Sequence, residues 1–348
     1  MTKTFYILGL SLVSAALLSG CSSNEEIVPD VTDGKVPINF ATVMEAPSTR
    51  GTDALQTDAF VSGYTATYNQ NVGLYIYRTG ETDKSASVDQ YGYVNNKYDV
   101  SDPDASKVSA LTKSTGTEQA YFPGQNTPVD IYAYAPYQVS QTDVNKFADL
   151  SVATDQSAAL DYLKADFVSG QLVNTPFTSD EATAHNIPMT HRMSRVIVVL
   201  KTGDGITDAD LQGAKVKLLN VQNTFDFDPL ASTAPVTTKG TATDIIMGTV
   251  PADATTDAAR TLYAIIPPQT IRAPKSESVT NEPLVIKIDL SDTNKGAVYK
   301  LITTTDQKFD PGTQYTYTIT VDATQISFTT TIADWVTGTG ETGKAVLQ

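Results

Sequence analysis

The chain has 348 residues, 41% of them hydrophobic, which is enough for two domains of ordinary size and too much for a disordered chain. Its formal net charge is −15 and its pI about 4.5, and no Lys/Arg cluster interrupts that balance. These values exclude a protein that tracks nucleic-acid phosphates and one that adheres to anionic lipid through a basic patch.

Lys3 precedes an apolar run over residues 5–18, interrupted mainly by Ser11 and Ser14. At roughly 14 residues the run suits the core of a signal peptide and falls short of the ~20 that span a bilayer. Leu18, Ser19 and Gly20 then lead to Cys21, forming a lipobox: small residues open the approach to a cysteine that carries a diacylglycerol thioether. Cys21 is the one cysteine in the chain. A thioether there removes the hazard of a free thiol in an oxidising compartment. The sequence predicts removal of residues 1–20 and a stable lipid anchor of two or three acyl chains on Cys21. Residues 22–33 are polar and acidic, without periodicity, and read as a tether.

Residues 36–43 alternate, with Val36, then Ile38 and Phe40 on one face of a predicted short strand. A loop rich in Pro, Ser and Thr follows, ending at Arg50 and Gly51. Beyond it the dominant signal is period two, bounded by turn residues. Strands are predicted at 72–77, 129–135, 196–200, 216–219, 262–266, 284–288, 315–321 and 326–328. The continuous apolar run at 196–200 marks a strand covered on both faces. Helical signals are confined to 158–167 and a capped turn at 207–213. Short strands with few helices predict an all-β chain of two tandem antiparallel β-sandwiches. Composition places their boundary in 175–186, giving one domain over 51–182 and a second over 183–348.

Catalytic signatures are lacking. The two histidines, His185 and His191, stand in no zinc-binding spacing, and no nucleophile elbow or calcium loop is present. No cofactor or metal is implied. Tyr132, Tyr134 and Tyr137 read either as the cover of a half-exposed sheet face or as a sugar-stacking platform. The second option would suit a surface-exposed glycan-binding lipoprotein acting as an intact monomer.

Several segments in order resemble the fimbrillin family of Bacteroidetes, the subunits of type V pili. They are Ile38-Asn39-Phe40 with Thr49-Arg50, Gly73-Leu74-Tyr75-Ile76-Tyr77, Tyr121-Phe122-Pro123-Gly124, and Val129-Asp130-Ile131-Tyr132-Ala133-Tyr134-Ala135-Pro136-Tyr137. Thr190-His191-Arg192-Met193-Ser194-Arg195, Ile265-Ile266-Pro267-Pro268 and Ile332-Ala333-Asp334-Trp335 complete the set. The resemblance implies two transthyretin-like β-sandwiches and a structural, non-enzymatic role. It also implies a precursor carried to the outer membrane on lipidated Cys21. There an arginine-specific protease would cut Arg50–Gly51, the first strand with Val36, Ile38 and Phe40 would leave, and a neighbouring subunit would donate a strand in its place. One departure matters: after Trp335 the tail is glycine-rich, and Ala345-Val346-Leu347 is its one apolar piece. That tail is either a donor strand or a frayed end, so stalk, tip and anchor subunits all stay open.

Overall fold

The computed structural model describes residues 35–44, 71–82, 91–103, 108–139, 146–180, 183–249, 260–273, 283–290, 298–324, 326–334 and 341–344. From Val36 onward they belong to one compact unit. Eight elements make its first half: β1 (Asn39–Met44), β2 (Val72–Arg78), β3 (Gly92–Pro103), β4 (Val108–Lys113), β5 (Val129–Ala135), β6 (Phe147–Ser151), β7 (Val168–Thr175) and β8 (Ala184–His191). A one-and-a-half-turn helix, α1 (Ala159–Lys164), sits between β6 and β7. Seven of the strands close into a barrel in the order β1-β4-β3-β2-β5-β7-β8. β6 leaves it to pair with a strand of the second half.

The second half holds β9 (Ser194–Thr202), α2 (Asp208–Gln212), β10 (Lys215–Phe227), β11 (Val236–Ile246), β12 (Arg260–Ile266), β13 (Gln269–Ile271), β14 (Val285–Asp289), β15 (Val298–Ile302), β16 (Gln307–Phe309), β17 (Thr313–Val321), β18 (Ile326–Asp334) and β19 (Glu341–Lys344). One sheet runs β11-β10-β14-β15 and another β12-β9-β17-β18-β19, with β13 and β16 as a separate pair. Residues of both sheets, among them Val216, Ile286, Leu301, Val198 and Ile319, meet in one core, so the two sheets face each other.

Alternation along four strands builds three apolar layers. On β2, Val72, Leu74 and Ile76 fill the barrel, while Tyr75 and Tyr77 point out of it. On β5, Val129, Ile131 and Ala133 point in, and Tyr132 and Tyr134 point out. β9 and β12 repeat the pattern from the other side: Val196, Val198, Leu262 and Ala264 face the second core, and Ile197, Val199, Tyr263 and Ile265 face the barrel. The outward residues of all four strands form a shared middle layer with Phe147, Phe167, Phe225 and Phe227. The run at 196–200 is therefore covered on both faces because the barrel lies against it.

The chain is all-β as alternation predicts, and short helices form within both segments with helical signals, although only α2 carries a side-chain cap. Thr207 closes a capping box with Asp210 at the start of α2, its hydroxyl accepting from the Asp210 amide. One expectation is corrected: the first half is a closed barrel and not an open two-sheet sandwich. β1 pairs with β8 in parallel over Asn39–Met44 and with β4 antiparallel, which joins the two edges of what would otherwise be an open sheet. Pairing partners change between His191, the last residue of β8, and Ser194, the first of β9. Arg192 ties this crossing to the barrel, its Nε donating to Ser169 Oγ at 2.8 Å. Ser194 ties it to the second half through Asp310 O, also at 2.8 Å.

Candidate strand-exchange site

The seat of β1 is built from β4, the stretch just after it and the distant β8. β4 supplies Leu111 opposite Phe40 and Ser109 opposite Thr42, while β8 supplies His185 opposite Phe40 and Met189 opposite Met44. The stretch 118–122 holds the approach: the Ile38 amide donates to Ala120 O, and the Phe122 amide donates to Val36 O, each at 2.9 Å. The Gln119 side-chain amide donates to Ile38 O at 3.4 Å. Main-chain bonds thus run along both sides of the segment.

Side chains anchor it as the alternation predicts. Ile38 and Phe40 are 1% and 2% exposed and join the barrel core, while Asn39 between them faces solvent. The Phe40 ring meets Tyr98 edge-on at 5.4 Å, within the range such pairs prefer. Val36 is half-buried and packs against the same core. Fully burying two such side chains contributes on the order of 3–6 kcal/mol before ordering costs. β1 is therefore a firmly seated plug rather than a frayed end.

His185 borders this seat from β8. Its ring lies 5.8 Å from that of Phe122, its Nε2 is buried without a hydrogen-bond partner, and burial holds its pKa below the usual histidine value. His191 instead pairs with Asp166, Nδ1 to Oδ1 at 2.9 Å, at the crossing between the halves. Among the described residues no group of three or more His, Cys, Asp or Glu is placed to hold a metal ion.

The other residues singled out by sequence separate into two groups. Tyr132 and Tyr134 are 6% and 0% exposed and belong to the middle layer, so they form neither a platform nor the cover of a half-exposed face; Tyr137 alone is partly open. Cys21, Arg50, Gly51, Ala345, Val346 and Leu347 lie outside the described residues. Just ahead of Ala345, β19 pairs antiparallel with β18, from Ser327–Lys344 to Thr330–Glu341. Sequence reasoning missed both neighbours of β1. β4 is short and follows turn-like residues, and β8 carries Pro188, which ordinarily argues against a strand interior.

A protein of Bacteroides uniformis named "Putative fimbrium subunit Fim1C" is 27% identical over 339 residues, covering 96% of this chain and 97% of its own. Two solved structures share the fold. A "putative cell adhesion protein" from Bacteroides uniformis has a TM-score of 0.61 at 20% identity, covering 88% of this chain and 99% of that one. Another from Bacteroides ovatus has a TM-score of 0.60 at 18% identity, covering 87% and 99%. The sequence model of the fimbrillin-like family matches residues 57–335, most of the 348, and this chain belongs to that family.

Proposed function

We propose that this protein is a structural subunit, stalk or tip, of a pilus assembled at the outer membrane, polymerised by donor-strand exchange after its first strand is removed. In this reading residues 1–20 are the signal peptide and Cys21 carries the lipid. Residues 21–50 are tether and removable strand, and an arginine-specific protease cuts Arg50–Gly51. The remaining chain, residues 51–348, then joins other pilus subunits. Membership of the fimbrillin-like family and the fimbrial name of the curated relative support the coarse role.

The position of β1 carries the mechanism. It lies between β4 and β8, and the family's sequence model begins only at residue 57, after it. Taking one strand from between two others leaves a gap of about two strand spacings, roughly 9–10 Å, lined by unpaired amides and carbonyls. Such an edge demands a replacement. A segment with apolar residues at alternate positions would restore both ladders and refill the places of Ile38 and Phe40. A neighbour's tail with Ala345, Val346 and Leu347 is one source of that segment.

Arg50→Ala is expected to leave the chain lipid-bound and monomeric. The parent protein is expected to show an N-terminus at Gly51 and SDS-resistant ladders after arginine-specific proteolysis. Ladders formed by the Arg50→Ala protein would overturn the reading.

A further inference from the structure

Where β5 ends, the chain turns through Pro136, Tyr137 and Gln138 and meets β6, α1 and the approach to β7 around a cavity of about 360 Å³. That volume lies at the low end of small-molecule sites, about 300–1,000 Å³, and suits a ligand of one ring. The cavity is lined by residues of the first half and shares none of them with the seat of β1.

Its wall is fixed from behind. The Tyr134 hydroxyl donates to Asn95 Oδ1 at 2.6 Å and accepts from the Gln138 amide at 3.1 Å, and Asn95 Nδ2 donates to Gln138 O at 3.0 Å. The Tyr137 amide donates to Asn71 O at 2.9 Å. A site framed this way is organised before anything binds.

The groups left facing the cavity are few and of distinct kinds. Buried Pro136 and Phe167 make an apolar floor. Tyr137 is partly exposed, and burial raises its pKa, so its hydroxyl stays a neutral donor. Ser151 adds a hydroxyl. Lys164, exposed at the end of α1, is the charged residue among the described lining, and no carboxylate accompanies it. A second cation stands near, Lys97 Nζ being 5.6 Å from the centroid of the Tyr137 ring. The Asp99 carboxylate, held by Asn71 Nδ2 and Ser114 Oγ, is the nearby negative group and offsets one of these two charges.

We propose that this cavity binds a sugar unit that carries a carboxylate, a uronic acid residue. The Tyr137 ring supplies the face against which a sugar ring packs, the Tyr137 and Ser151 hydroxyls and Gln138 Oε1 reach its hydroxyl groups while Gln138 Nε2 stays bonded to Pro136 O, and Lys164 meets the carboxylate. A phosphate fits less well, because phosphate sites use bidentate arginine or several converging backbone amides, and neither lines this cavity. A neutral sugar would leave the Lys164 charge unused. The inference is independent of strand exchange, since every lining residue is present in the uncut monomer.

The test is calorimetric titration of the full chain, kept monomeric by Arg50→Ala, with glucuronic acid, glucose and acetate. Saturable glucuronate binding with a Kd on the order of 1 mM is expected, with glucose about tenfold weaker and acetate without effect. Lys164→Gln, an exposed change at a helix end, is expected to bring glucuronate down to the level of glucose. Tyr137→Leu should weaken both sugars, and Lys308→Gln, distant from the cavity, should change neither. Absence of saturable glucuronate binding would overturn the proposal, as would binding that Lys164→Gln leaves intact. Acetate binding as tightly as glucuronate would also overturn it, by reducing the site to one for a bare anion.

Discussion

Tyr134 shows how much one side chain is asked to do. Its ring packs against those of Phe147 and Phe227, with centroids at 5.2 and 5.7 Å, and its hydroxyl joins Asn95 to Gln138. The backbone opposite must be Gly73, because a Cβ there would meet the Tyr134 ring at 2.1 Å. Burial pushes the phenol pKa far upward, so the group acts as a neutral donor and acceptor. Tyr134→Phe keeps the ring but removes the hydroxyl that bridges Asn95 Oδ1 and the Gln138 amide. The expected cost is about 1–3 kcal/mol, read as a lower urea midpoint with unchanged slope. His185 makes a pH prediction. Burial lowers its folded pKa below the unfolded value of 6.5, so the unfolded chain binds the proton more readily. Stability is therefore full above the unfolded pKa, and it falls as pH drops below that value and through the folded one. Asp155 and Asp226, whose folded pKa values lie below 3.8, lose their contribution only in stronger acid. Urea midpoints measured between pH 7 and 5 should decline in the parent chain and flatten in His185→Gln; equal slopes would contradict this.

At the scale of the element, β1 is the informative case. The in-and-out pattern of Ile38, Asn39 and Phe40 was legible in sequence because a half-buried strand repeats every two residues. Its partners were not, since pairing across the chain leaves no local trace. β8 pairs with β7 only over Met189–His191, so Pro188 falls outside that ladder and its missing amide costs no bond there. Phe40→Ala would empty a fully buried place beside Tyr98 and Leu111, at an expected cost of about 3–5 kcal/mol. Equilibrium unfolding of the uncut chain checks it. If β1 were loosely attached, the loss would be under about 1 kcal/mol. The tyrosines of β5 teach the converse lesson: alternation placed Tyr132 and Tyr134 together on one face, but nothing local said that another sheet would cover that face.

For the whole molecule, the middle layer decides the mechanics. Phe167 touches Phe225 and Phe227 edge-on at 5.1 and 5.4 Å, Tyr162 meets Tyr263 at 6.3 Å, and the Arg195 guanidinium lies 5.1 Å from the Tyr263 ring. β6 leaves the barrel sequence to pair with β10 of the other half, Thr224 with Ser151 and Phe227 with Phe147. Halves joined by a shared core and a shared sheet should unfold together. One calorimetric transition is expected, with calorimetric and van't Hoff enthalpies in agreement, and Phe227→Ala should lower it as a unit. Two resolved transitions would refute that coupling.

Sequence by itself determined what depends on neighbours along the chain: the all-β class, the faces of the longer strands, the two short helical segments, one of them capped, and the apolar face of the first strand. Hydrophobic period, capping chemistry and turn residues are local, and each acts within a few positions. Tertiary structure alone decided what depends on residues far apart: closure of the barrel through β1 and β8, burial of the β5 tyrosines, and the cavity that brings Tyr137 and Lys164 together. Those features arise when segments separated by a hundred residues or more share one ladder or one core, as Phe40 does with His185, and no local pattern encodes that choice of partner.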